Sequence, residues 1–240
     1  MEIFLKELKD VKALVFLDLE ATAFTSEMIE IGAYLATIDS KGRIKKVFKP
    51  FKHYVKAHHR IGYPVTQLTG ITEEKIAKDG EEFEYVLSEF RRYVGRYWSV
   101  CKFVTFGEHD IVIIKSTMSE HRNMEPTYAR NIYRHHLDLQ RLLSTYVQDE
   151  HGNPYSLKNY LSLFDLEFDG QQHDAAFDAL NLLDLYKKAV YSPNIFVESY
   201  KKTLLNVRNN PIARELIKKL NNGETVTPEY YEELLERTFK

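Results

Sequence analysis

The residues Ala13, Leu14, Val15, Phe16, Leu17, Asp18, Leu19 and Glu20 form an apolar run that ends in two acids. A run this bulky and hydrophobic reads as a central strand buried on both faces. Side chains alternate along a strand, so Asp18 and Glu20 point the same way. Two carboxylates on one small patch repel, and without a compensating cation one of them takes up a proton. A divalent metal resolves that conflict.

The chain has 240 residues, enough for one sizeable core with a segment appended. Hydrophobic content of 44% argues against disorder. Cys101 is the sole cysteine, which excludes a disulfide framework and a thiolate zinc site and suits a reducing cytoplasm. The first residues alternate charge with apolar side chains and lack a signal-peptide core. No apolar stretch approaches the ~20 residues of a membrane span. A soluble cytoplasmic protein is expected.

After the first strand, Met28 to Ala36 reads as a second strand and Arg43 to Phe51 as a third, divided by the turn signal Asp39 to Gly42. Short links between them predict an antiparallel meander. Phe83, Val86, Leu87, Phe90, Tyr93, Val94 and Tyr97 recur at helical spacing and predict a helix ending near Trp98. Val100 to Phe106 returns to strand, and a helix follows from Asp110. A short strand over Asn131 to Leu137 and a helix over Leu139 to Val147 come next. Ser156 reads as the N-cap of another helix, and Ala179 to Val190 marks the one after. The pattern is α/β. Beyond Tyr191 only helical signals remain: Pro193, Pro211 (after Asn209 and Asn210) and Pro228 each stand at a helix start. A boundary near residue 190 divides domain 1–190 from a helical extension 191–240.

Charge is unevenly distributed. Between Ser40 and Thr72 lie eight Lys or Arg and no acid, so the rest of the chain carries −10 of the net −2. Phe48, Phe51 and Tyr54 interleave the basic residues. That composition fits either a surface that tracks phosphates and stacks bases or a solvated hairpin.

Two further acids stand where loops enter helices. Asp110 follows Phe106, Gly107, Glu108 and His109, and Asp178 lies five residues after His173. Either alone suits a first helical turn, where the dipole favours a carboxylate. Asp178 precedes Leu182 by one turn and so faces the body of the domain. Five residues on a continuous helix would separate His173 from Asp178 by about 140°, which places His173 on the entering loop. Four carboxylates without cysteine are hard oxygen ligands suited to Mg²⁺ or Mn²⁺. In a two-metal site such ions orient an attacking water and stabilise a leaving oxygen, which is phosphoryl chemistry. A histidine titrating near neutrality would take the water's proton.

Phe16-Leu17-Asp18-Leu19-Glu20-Ala21-Thr22, Leu68-Thr69-Gly70-Ile71-Thr72, Phe106-Gly107-Glu108-His109-Asp110 and His173 followed by Asp178 occur in that order. Over about residues 11 to 190 this resembles the DEDDh 3′-to-5′ exonuclease superfamily. The resemblance implies an RNase H-like fold, a mixed five-stranded sheet flanked by helices. It implies metal binding by Asp18, Glu20, Asp110 and Asp178, and a general-base role for His173. Asp18 to Thr22 and the Leu68 to Thr72 stretch look most like the enhanced-RNAi exoribonuclease branch, whose relatives trim RNA 3′ ends. Proofreading DNA subunits more often carry Glu-Thr-Thr-Gly where this chain has Glu20-Ala21-Thr22-Ala23. Phe106 departs from that branch, which often has Trp there. By the same resemblance, Ala21 and Thr22 receive the terminal sugar and Phe24 stacks nearby.

The expected function is therefore metal-dependent release of nucleoside 5′-monophosphates from single-stranded nucleic acid, RNA favoured over DNA. A DNA exonuclease and an inactive nuclease fold used for binding are the alternatives. A glycosidase using Asp18 and Glu20 would leave Asp110, Asp178 and His173 unexplained. His135, His136 and Asp138 are no ligand cluster, because adjacent strand residues face opposite ways. Cys101 reads as a buried inert thiol, and Glu30 and Glu108 as structural groups or as supports for the metal ligands.

Overall fold

The computed structural model describes residues 2–205 and 211–239. Its strands are β1 (Ala13–Ala21), β2 (Met28–Ile38), β3 (Ile44–Val47), β4 (Phe51–Val55), β5 (Gly80–Glu81), β6 (Cys101–Thr105) and β7 (His136–Asp138). Its helices are α1 (Glu2–Glu7), α2 (Tyr63–Thr69), α3 (Glu73–Asp79), α4 (Phe83–Val94), α5 (His109–Glu120), α6 (Thr127–Arg134), α7 (Leu139–Ser144) and α8 (Leu157–Leu163). They continue with α9 (Ala175–Tyr191), α10 (Pro193–Leu205), α11 (Pro211–Asn221) and α12 (Pro228–Phe239).

The sheet runs β5-β4-β2-β1-β6-β7, with β3 also on β2. β1 lies antiparallel to β2 and parallel to β6, so the sheet is mixed and β1 is central. The alternation of β1 decides which helices it meets. Ala13, Val15, Leu17 and Leu19 join one core with α4, α5 and α6. Leu14 and Phe16 join the other, with α7, α8 and α9. Asp18 and Glu20 continue the second set, on the face where α9 crosses β1 and β2.

Seven strands form the sheet where five are expected. The third strand of the meander is divided at Phe48 to Pro50, and both parts pair with β2, at Ala36 to Ile38 and at Glu30 to Ala33. Pro50 has no N–H to give a ladder, which explains the break. β5 is a two-residue addition beyond β4. Asn131 to Arg134 is helix and not strand: Ala129 and Ile132 are buried three apart on α6, and extended structure begins only at His136. The α4 helix stops at Val94, where Gly95 adopts φ 58°, and one 3₁₀ turn carries the chain towards Trp98. Ser156 caps α8 by accepting the Asn159 N–H. All three proline-led helices begin at the proline expected, while Asn209 and Asn210 lie outside the described residues. Phe196 of α10 is buried in the second core beside Phe164 and Tyr146. Among the described residues no helix is long and apolar enough to cross a membrane.

Candidate active site

Two rows, each crossing three strands, organise one end of the sheet. Asp18 pairs with Gly32, which pairs with Lys52; Glu20 pairs with Glu30, which pairs with Tyr54. Gly32 lets a helix lie on this row. A Cβ built there would stand 2.1 Å from the Ala175 carbonyl carbon, so only glycine admits the first turn of α9 against β2. Buried Glu30 accepts the Ala175 N–H at 3.0 Å and pairs with Lys52 Nζ at 3.0 Å; Lys52 also reaches Asp174 at 2.5 Å. Asp174 caps α9 through the Ala176 and Phe177 amides. The helix start is thus held by a cap, a glycine and a lysine bridge, and Asp178 follows within its first turn beside Glu20.

Asp110 arrives from the other side. β6 pairs with β1 only as far as Phe16, so the Leu19 amide beyond that point takes Asp110 Oδ1 as its acceptor, at 2.9 Å. Asp110 is itself buried in the first turn of α5.

His173 occupies the loop entering α9, with φ 64°. Its N–H donates to Asp178 Oδ2 at 2.8 Å, and its ring Nδ1 stands 3.8 Å from Glu20 Oε1. The ring remains half-exposed. Asp18, Glu20, Asp110, His173 and Asp178 all line one cleft of about 440 Å³, with Phe106 and Leu68 on its walls.

Four acids in one cleft strain each other electrostatically. Burial, then Asp110, Asp178 and Glu20, hold the Asp18 carboxyl well above the usual range. Burial, then Asp178 and Glu30, push Glu20 up to about 8. Burial lifts Asp110 to about 7 against the opposing Leu19 hydrogen bond, and Asp178 to about 6 against that from His173. Among the described residues no lysine or arginine forms an ion pair with any of the four. A leucine at position 18 would contribute roughly 2 kcal/mol by burial, whereas a buried charge costs more than that unless compensated. An all-oxygen set of carboxylates, short of positive charge, fits a hard divalent cation. Glu20, His173 and Asp178 each place a ligand atom within 4.8 Å of the others.

The exonuclease profile of the RNase T type matches residues 15–186. The chain belongs to the RNase T exonuclease family. No curated protein matches the sequence. Among solved structures, a 3′-exonuclease that recognises the 3′ end of a histone mRNA stem-loop superposes with a TM-score of 0.60 at 16% identity, covering 77% of this chain and 82% of that one. The nuclease domain of 3′hExo, a DEDDh family member bound to rAMP, gives 0.57 at 20%, covering 77% and 92%. E. coli exonuclease I with a dT13 oligonucleotide gives 0.58 at 16%, covering 81% of this chain but 44% of that one. These likenesses share the fold.

The substrate-side residues of this exonuclease divide. Ala21 and Thr22 line the cleft. Thr22 is buried, and its hydroxyl accepts the Glu27 N–H at 3.0 Å and meets that of Thr25 at 2.7 Å, so it builds the turn after β1. Phe24 is 88% exposed, packed into no core, and shares a surface hollow with Arg60, Gly62 and Tyr63.

Among the described residues, three of the eight Lys or Arg between Ser40 and Thr72 form ion pairs. Lys52 serves Glu30 and Asp174, Lys56 pairs with Glu82, and Arg43 with Asp39. Phe51 is core, Phe48 packs on Tyr97, and Tyr54 carries Lys75 at 4.7 Å. His136 bonds Thr105 at 2.7 Å, while Asp138 accepts the Gly107 and Arg141 amides and caps α7, so neither is free for a metal. Burial pushes the Cys101 thiol up to about 12, in line with an inert side chain. Gly32, Lys52 and Asp174 escape sequence reasoning. An isolated glycine inside an apolar strand is the one signal available, since it marks close approach of another backbone.

Proposed function

We propose that this exonuclease removes nucleotides from the 3′ ends of single-stranded RNA and releases nucleoside 5′-monophosphates. The observation that carries this reading is the convergence of Asp18, Glu20, Asp110 and Asp178 with His173 in one cleft. The four acids would hold two Mg²⁺ or Mn²⁺ ions. Such ions, when bound, polarise the scissile phosphate and make water more acidic. The His173 ring leans over Glu20 from its loop and takes the proton of the attacking water. Its backbone bond to Asp178 couples the base to a metal carboxylate. Phe24 offers a solvent-facing ring on which a base stacks.

Ala21 and Thr22 in place of the proofreading pattern favour RNA, and two of the similar structures hold RNA or its mononucleotide. The likeness to exonuclease I with an oligonucleotide supports DNA as the second reading. Parallel time courses on 5′-labelled single-stranded RNA and DNA with Mg²⁺ or Mn²⁺ decide. Progressive shortening with mononucleotide release, faster on RNA, is expected; if both polymers stay intact the reading fails. We further assign domain 1–190 to catalysis in the cytoplasm and 191–240 to a helical extension that α10 anchors through Phe196.

A further inference from the structure

Glu27 has no solvent exposure, yet its ion-pair partners among the described residues are only two histidines. It stands just before β2, after the turn that carries Thr22 and Phe24. Its Oε1 accepts the His58 N–H at 2.7 Å; its Oε2 accepts the His59 N–H at 3.0 Å and lies 3.1 Å from His59 Nδ1. These contacts use three of the ~4 lone-pair sites of a carboxylate and leave one on Oε1. Histidine is not a permanent cation, and a buried carboxylate is otherwise paired or bound to a metal.

Glu27 Oε1 also faces His58 Nδ1 at 3.4 Å, too long for a good hydrogen bond. Two ligands ~2.1 Å from a zinc ion at a tetrahedral angle stand ~3.4 Å apart. The third member comes from the end of α5. The His121 ring lies over that of His58, centroids 4.6 Å apart and planes 30° apart, and Phe83 walls it at 5.2 Å. His121 Nε2 is sealed from solvent and lacks any hydrogen-bond partner, the one buried side-chain polar atom so placed among the described residues. An orphaned buried nitrogen points to a missing water or ion. Burial and the neighbouring His58 hold His121 below the usual histidine range, in the neutral form that ligates.

We propose that Glu27, His58 and His121 form a zinc site distinct from the catalytic acids. Each offers a ligand atom, all within 4.8 Å of one another. One carboxylate and two imidazoles suit Zn²⁺, with a fourth position left for water, whereas Mg²⁺ and Mn²⁺ prefer oxygen alone. The ion would join the turn after β1, the loop after β4 and the end of α5. That loop also carries Arg60 and Gly62, and the Ala23 N–H donates to Ile61 within it at 2.9 Å. Zinc here would fix the segment that presents Phe24.

The test uses full-length protein with Asp178→Asn, which disables the acidic cleft, and Co²⁺ and Zn²⁺ as probes. Co²⁺ should give the visible absorption of a tetrahedral nitrogen-ligated ion, and Zn²⁺ should raise the melting temperature by several degrees. Adding His121→Phe, which keeps a ring against Phe83 and removes the nitrogen, should abolish both, as should adding His58→Gln. A missing Co²⁺ band, or a band that survives His121→Phe, overturns the site.

Discussion

The Asp110 carboxylate accepts the Leu19 amide hydrogen at 2.9 Å, tying the start of α5 to the strand that bears Asp18 and Glu20. Asparagine at 110 keeps an acceptor for that bond and removes one of four mutually repelling charges. Asp110→Asn should therefore lose at least ~100-fold in nuclease activity, more than loss of a residue merely supporting a ligand. In chelator near pH 8 it should melt about 2–4 °C higher than the parent, corresponding to ~1 kcal/mol. Melting well below the parent would make Asp110 chiefly structural.

The raised carboxylates set a direction for pH dependence. Folded Asp18, Glu20, Asp110 and Asp178 keep protons that the unfolded chain releases near pH 4, with folded values reaching about 8 for Glu20. Where the folded state binds more protons, stability falls as pH rises. Metal-free protein should lose at least ~5 °C of melting temperature between about pH 5 and pH 8. Saturating Mn²⁺ should flatten that slope, so the gain on adding metal grows over the same window. A chelator profile that is level or climbs through this range would contradict the electrostatics.

His173 holds φ 64°, a conformation that costs a side-chain-bearing residue ~1–2 kcal/mol more than glycine. His173→Gly should melt a few degrees above His173→Ala, since both keep the N–H that Asp178 accepts. Each should lose ~10²–10⁴ in kcat if the ring is the proton acceptor. Equal melting points would show that the loop relaxes, and near-parental kcat in either variant would remove the ring from the chemistry.

Phe24 touches solvent over most of its surface, so Phe24→Ala should leave the melting temperature unchanged. Losing one stacked base costs ~1–3 kcal/mol, a rise in Kd for single strands of roughly 5- to 150-fold. Fluorescence anisotropy with a labelled oligonucleotide on a catalytically dead background measures it. Unaltered affinity would assign the exposed ring to some other purpose.

How far the site can be read from sequence follows from where each signal originates. β1 is legible because a strand buried on both faces leaves an unbroken hydrocarbon run, and acids at its end contradict that burial. His173 and Asp178 are legible because their spacing fits a loop and a first turn. The basic segment stays open between two readings because lysines interleaved with aromatic residues suit a solvated hairpin and a nucleic-acid surface alike. Lys52 shows why: its partners Glu30 and Asp174 come from distant parts of the chain, and no local pattern couples them. α6 is misread in part because Ile132 and Tyr133 favour strands in isolation, while burial of Ala129 with Ile132 is decided by α4 and α5 packing against them.

Gly32 gives the enzyme an order of assembly. The acidic cleft is complete only when the backbone at Ala175 settles onto that bare position, long after Asp18, Glu20 and Asp110 have been synthesised. A nascent chain still short of α9 carries three of the four cleft acids and lacks Asp178.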